Sequence, residues 1–150
     1  MNNSSLYDEK IFYRRFIQDL LNCQKEVIIE SPFITAARMR TLYPTFEELI
    51  KRGVKVFVVT RDPRDHSEPY EEQSENEIRR FEQLGVQVLL CIGNHHRKLA
   101  ILDRQVLWEG SLNILSQTRS REIMRRIDSK EIAVEMFDFL QFEKNIYIKK

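Results

Sequence analysis

The chain has 150 residues, 42% hydrophobic and 31% charged, with four glycines and four prolines. That length buries a core without staples, so a single domain over residues 1–150 is expected, with little room for a disordered linker. A net charge of +1 excludes a globally basic polyanion binder, and any nucleic-acid footprint must be local.

Cys23 and Cys91 make no disulfide framework and suit a reducing compartment. The opening Met-Asn-Asn-Ser-Ser lacks the basic start and apolar run of a secretion signal. No apolar run approaches a membrane span, so a soluble, cytoplasmic protein is the expectation.

Residues 8 to 22 carry Ile11, Phe12, Phe16, Ile17, Leu20 and Leu21 on one stripe, which predicts a helix capped by Asp8. Glu26–Glu30 reads as a short β-branched strand, and Pro32 takes the chain out of the sheet. A helical stretch from Ala36 is expected to break at Pro44 and restart as a second helix ending at Gly53. Val54–Thr60 is the clearest strand. A polar loop over 61–69 leads to an amphipathic helix over 71–84, stopped by Gly85, and Val86–Ile92 reads as a buried strand. Leu99–Leu102 and Val106–Trp108 form a hairpin turned at Asp103-Arg104-Gln105. A polar bend with Gln117, Thr118, Arg119 and Ser120 precedes a strand over 122–127. Asp128-Ser129-Lys130-Glu131 then fits a capping box for a last helix that carries Ile132, Met136, Phe139 and Leu140. The alternation of helices and strands predicts an α/β fold: a mixed, mostly parallel sheet sandwiched between helices, with the hairpin as its antiparallel part.

The chemistry concentrates at residues 96–113. His96 and Lys98 are two apart and would project from one face of a strand. Asp103 follows the apolar run, and Gly110-Ser111 brings a hydroxyl and the Asn113 amide back toward its start. Imidazole, ammonium, hydroxyl and amide together suit attack at phosphorus and support of the phosphoryl oxygens. Any one of these residues alone reads as surface chemistry. Six residue types fixed over eighteen positions do not.

The spacing H-x-K-x4-D-x6-G-S-x-N resembles the signature of the phospholipase D superfamily, and every constrained position matches. The resemblance implies that same sandwich fold and five site residues per chain. His96 is implied as nucleophile, passing through a phosphohistidine, or as general acid. Lys98 neutralises developing charge, Asn113 donates to the phosphoryl oxygens, and Ser111 supports them or orients the histidines. Glu122 is implied to accept from the His96 ring, with Glu131 as its rival. Asp103 is expected to be structural, accepting backbone or basic donors, and His95 to face away from the site. A site of this family needs two H-x-K motifs and the chain has one. The small bacterial nucleases of the superfamily look similar and join two copies, which implies a homodimer. No metal or other cofactor is called for, because lysine and amide supply the charge stabilisation.

Arg97, Arg119, Arg121 and Arg125 are the candidate contacts to a nucleic-acid backbone, and a solvated charged face is the alternative for them. Ser31–Thr35 and Arg119–Met124 also look similar to superfamily domains fused to helicase-like ATPases, a possible partner class. The expectation is a metal-independent phosphodiesterase, an endonuclease acting on DNA or RNA. A non-catalytic nucleic-acid-binding or assembly module of a larger machine is the alternative. A phospholipid phosphodiesterase fits less well, for there is no amphipathic basic segment and no membrane association is expected.

Overall fold

Two apolar runs, Val27–Ile29 and Val56–Val59, are buried on both faces and fix the middle of a sheet. The computed structural model describes residues 3–65, 68–93, 95–117 and 119–144. In chain order the elements are β1 (Ser4–Asp8), α1 (Phe12–Leu21), β2 (Glu26–Glu30), α2 (Ala36–Lys51), β3 (Lys55–Arg61), a 3-10 turn (Pro63–Asp65), α3 (Glu68–Leu84) and β4 (Gln87–Cys91). They continue with β5 (Leu99–Leu102), β6 (Val106–Gly110), β7 (Ile123–Asp128) and α4 (Lys130–Phe139). The sheet has seven strands in the order β1-β7-β6-β5-β2-β3-β4.

The sheet is mixed, but the expectation that it is mostly parallel is corrected. Only β2–β3 and β3–β4 pair in parallel, and the other four ladders are antiparallel. Helical crossovers make the parallel part, whereas β5, β6 and β7 follow one another as a meander and β1 adds antiparallel to β7. One face of the sheet packs on Phe12, Phe16 and Leu20 of α1, Met39, Leu42, Phe46 and Leu49 of α2, and Ile78 and Phe81 of α3. The other face packs Ile28, Phe57, Ile101 and Leu107 on Ala133 and Phe137 of α4. Buried Asp19 ties α1 to the sheet, accepting from Trp108 Nε1 at 3.0 Å and from Arg126 Nε at 2.7 Å. Among the described residues no helix is long and apolar enough to cross a membrane.

Several elements differ from their sequence reading for identifiable reasons. The predicted helix from residue 8 begins at Phe12, and Asp8 ends β1, an edge strand with no clean apolar alternation. Asp8 still organises the entry, accepting from the N–H groups of Lys10 and Ile11. Pro44 does not break α2, which runs unbroken over sixteen residues. A mid-helix proline costs about 3 kcal/mol. Pro44 sits on the exposed face, opposite Leu42, Phe46 and Leu49, whose burial at roughly 1.5–3 kcal/mol each outweighs that cost. The 61–69 loop is shorter than expected, since α3 starts at Glu68; His66 and Ser67 lie outside the described residues, as does Thr118 of the later polar bend. β4 is an edge strand rather than a buried one, leaving Leu90 and Ile92 exposed.

The last helix is corrected at its start. Its cap is Ser129, which accepts from Ile132 N–H, so Asp128 belongs to β7 and no Asp128–Glu131 box forms. Its buried residues are Ala133 and Phe137, with Met136 and Leu140 packed beside them, while Ile132 and Phe139 face outward.

The β5–β6 hairpin turns through Asp103 and Arg104, both at positive φ (54° and 51°), with Gln105 N–H bonded to the Leu102 carbonyl. Two non-glycine residues in this region are unfavourable by roughly 1–2 kcal/mol each. The Asp103 carboxylate offsets this by accepting from the N–H groups of Gln24, Lys25 and Glu26 at 2.9, 2.8 and 3.0 Å. Arg104 adds a two-pronged pair to Glu26. Asp103→Ala is therefore expected to destabilise the protein by about 2–3 kcal/mol, read as a lower urea midpoint, with Asp103→Asn losing less.

Candidate active site

The ends of the central strands gather the motif. In the ladders Glu30 of β2 lies opposite Leu99 of β5, Leu99 opposite Glu109 of β6, and Gly110 opposite Met124 of β7. Residues 95–98, 110–113 and 120–122 thus emerge at one end of these neighbouring strands. The expectation that His96 and Lys98 sit in a strand is corrected: β5 starts at Leu99, and 95–98 runs ahead of it without ladder pairing. Both side chains nevertheless line one open cleft of about 660 Å³, with Arg97, Glu109, Gly110, Arg125 and the apolar Leu6, Ile123 and Phe139 around them.

Within the cleft, His96 is exposed and Lys98 is half-buried. The Lys98 ammonium donates to the His96 carbonyl at 2.7 Å, which keeps the cation beside the imidazole's own backbone. Glu122 follows in the same network. Its carboxyl is held below the usual range by hydrogen bonds from Ser111 and from Ser120, with the Lys98 charge adding to them. The expected bond from Glu122 to the His96 ring is replaced by these hydroxyl contacts, and the Glu122 N–H is fixed by Glu9. The rival Glu131 sits exposed in the first turn of α4, on the helix that Ser129 caps.

Gly110 is required by space. A Cβ there would lie 2.1 Å from the Ile123 carbonyl oxygen and 2.9 Å from Met124 Cα, so β6 and β7 approach only because the side chain is absent. Ser111 then continues the pairing with its backbone and side chain together. Its N–H donates to the Ile123 carbonyl at 2.9 Å, and its Oγ accepts from Ile123 N–H at 3.0 Å. Asn113 is placed differently. It lines a neighbouring, more enclosed cavity of about 390 Å³ with Phe33, Thr35, Ser74, Ser116 and Gln117, and its Oδ1 is buried with no hydrogen-bond partner among the described residues.

The basic candidates divide. Arg119 and Arg121 are exposed, and Arg125 lines the cleft while donating to Ser4 Oγ at 2.8 Å. Arg97 is half-exposed with its guanidinium held on Glu30. Glu30 itself is a residue that the sequence reading missed. Placed at the end of β2 among apolar neighbours, it is fully buried and carries Arg97 on one side and His95 on the other. His95 Nε2 lies 3.2 Å from Glu30 Oε1, an ion-pair contact outside hydrogen-bond alignment. Cys91 and Glu30 beside it raise the imidazole to about 9 from 6.5. A folded-state value above the free one means that the contribution is full below about pH 6.5 and is lost as the pH rises through about 9. The melting temperature is expected to fall across that window, and His95→Gln should flatten the fall. Among the described residues no group of three or more His, Cys, Asp or Glu side chains is disposed to hold a metal ion.

Residues 16–141 match the family described as cardiolipin synthase, PLD-like domain. A comparison with curated protein sequences finds no match. Among solved structures, NucT from Helicobacter pylori superposes with a TM-score of 0.69 at 17% identity, covering 92% of each chain. Nuc from Salmonella typhimurium, a phospholipase D family member, gives 0.69 at 19% identity over 95% of each. Phosphatidylserine synthase from Haemophilus influenzae Rd KW20 gives 0.68 at 15% identity, over 95% of this chain and 37% of that one. The structural likenesses are likenesses of fold. The family match is one of sequence and runs through the whole of the His96–Asn113 motif, so the chain belongs to the PLD-like domain family of the phospholipase D superfamily.

Proposed function

We propose that the protein is a metal-independent phosphodiesterase that hydrolyses nucleic acid in a site shared by two copies of the chain. The observation that carries this reading is the cleft itself: an exposed imidazole and an ammonium side by side, open to solvent, beside Arg125. A polyanionic backbone suits that lining, with Arg119 and Arg121 nearby in the chain and exposed. NucT and Nuc share the fold over nearly their full lengths, whereas phosphatidylserine synthase does so over 37% of its chain, which supports a self-contained unit of the NucT and Nuc kind.

The chemistry needs two imidazoles. His96 of one protomer attacks phosphorus, the bond from phosphorus to the leaving oxygen breaks, and the partner subunit's His96 gives that oxygen its proton. Water then attacks the phosphohistidine, losing a proton to the same partner imidazole as the P–N bond breaks. Lys98 of each protomer offsets charge on the phosphoryl oxygens, which is the part a metal plays in other phosphodiesterases. Each chain carries one H-x-K pair. Leu6, Ile123 and Phe139, at 58%, 60% and 80% exposure, form an apolar rim on that cleft, which a second copy meeting across a two-fold would cover.

The test is cleavage of single- and double-stranded DNA and RNA in EDTA, beside sedimentation of the same preparation. Activity that EDTA leaves within about twofold is expected, from a dimer whose specific activity falls on dilution through its dissociation range. A fully active monomer, or activity restored only by added metal, would overturn the reading. Inactivity on every phosphodiester, with nucleic-acid binding retained, would favour the binding module instead.

A further inference from the structure

Glu30 is the only fully buried carboxylate among the described residues, and every group it meets comes from the segment that carries His96. Arg97 approaches two-pronged, Nε to Oε1 at 2.8 Å and Nη2 to Oε2 at 3.3 Å. His95 Nε2 approaches the same Oε1 at 3.2 Å and is itself 7% exposed. His95 and Arg97 therefore both reach one carboxylate, Arg97 while lining the cleft, and the residue between them is exposed in that cleft. That residue is His96. Since 95–98 lacks ladder pairing, its other backbone restraints among the described residues are His95 N–H on the Gly93 carbonyl, Gly110 N–H on the Lys98 carbonyl and the Lys98 ammonium on the His96 carbonyl. Glu30 in turn is fixed by its place in β2, opposite Leu99 and beside Val59.

We propose that Glu30 is a positioning residue for the reaction: its carboxylate clamps His95 and Arg97 and so sets the direction in which His96 enters the cleft. The inference rests on the reading of His96 as the reacting imidazole and adds to it a residue outside the H-x-K motif. The clamp gives Arg97 its partner in Glu30 while the half-exposed side chain lines the same cleft as His96. Its cost of burial is met because one carboxylate faces two cationic groups in a fixed fork. A shift of about 1 Å at a reacting atom can cost on the order of 100-fold in rate, so a loosened clamp acts on turnover before it acts on affinity.

The experiment compares the wild type with Glu30→Gln, Arg97→Gln and the double variant, assayed well below the melting temperature of the least stable. On nucleic acid in EDTA, each single variant is expected to lose about 10- to 100-fold in kcat with KM within about threefold, and the double variant to be little worse than either single one. In the same proteins, hydrogen exchange of the His95 and Gly110 amides, which hold the two ends of the segment, should accelerate more than about tenfold while those of Val27–Ile29 keep their protection. Arg97→Gln alters a half-exposed side chain, so it reads the clamp even if Glu30→Gln fails to fold. A rise in KM at unchanged kcat in Arg97→Gln would make that residue a substrate contact and overturn the proposal. So would unchanged exchange of the His95 and Gly110 amides in the variants that fold. If the wild type cleaves no phosphodiester, the functional reading fails on its own, and the exchange measurement still decides the clamp.

Discussion

His96→Ala is expected to abolish phosphodiester cleavage while leaving the fold and the affinity for nucleic acid nearly intact. The imidazole is exposed in the cleft and is not among the buried side chains of either core, so its removal leaves no cavity and the melting temperature should hold. Its chemical contribution is double in a shared site, since each phosphodiester meets one His96 as nucleophile and the other as acid. General acid–base catalysis alone contributes about 10²–10⁴-fold, and losing the nucleophile as well should exceed that range. Lys98→Ala should behave differently, weakening binding and turnover together, because its charge acts on the phosphate in ground and transition states alike. Steady-state kinetics with a parallel binding titration check both. Cleavage that survives His96→Ala at more than about 1% of wild type would reject the mechanism.

The largest structural effect is expected at Gly110, where alanine has no place to go. The added Cβ would meet the Ile123 carbonyl oxygen at 2.1 Å, Met124 Sδ at 2.8 Å and Met124 Cα at 2.9 Å. Two of these are backbone atoms, so relief requires β6 and β7 to part at the point where Ser111 brackets the Ile123 peptide. Overpacking in a tight site costs about 1–3 kcal/mol, and a backbone obstacle puts Gly110→Ala at the upper end or beyond. For a chain of this size that is a fall of about 6–12 °C in melting temperature. Activity should fall further than stability, because Ser111 directly follows β6 and Glu122 directly precedes β7 at the point forced apart. A melting temperature within about 2 °C of wild type would show that the β6–β7 approach is looser than the geometry implies.

The candidate residues legible in the sequence are those set by rigid local spacing; the structure brings His96, Lys98 and Gly110 to one cleft and places Asn113 on the neighbouring cavity. His96, Lys98, Asp103, Gly110, Ser111 and Asn113 are tied to one hairpin, and the hairpin's turn and strands leave a direct trace in residue type. The parts that were not legible depend on distant neighbours. Glu30 reads as an ordinary strand end, and its partner Arg97 stands 67 residues downstream. β1 is held by its ladder to β7 rather than by its own alternation, so its residues gave no strand signal. The face of α4 was not legible because apolar residues lie on both its sides: Phe137 faces the sheet, while Phe139 faces the cleft rim. The mostly parallel sheet was inferred from helix–strand alternation in the first half of the chain, and the second half is a meander with a single terminal helix.

The covalent step is the most direct point of test. Wild-type protein mixed in EDTA with a nitrophenyl ester of a nucleoside phosphate, quenched within one turnover and kept alkaline, should release nitrophenol in a burst. The protein recovered from that burst should carry the nucleotidyl mass on His96 and on no other residue. A burst of nitrophenol with no phosphorus attached to His96, or release that begins only when a divalent metal is added, would contradict attack by this imidazole.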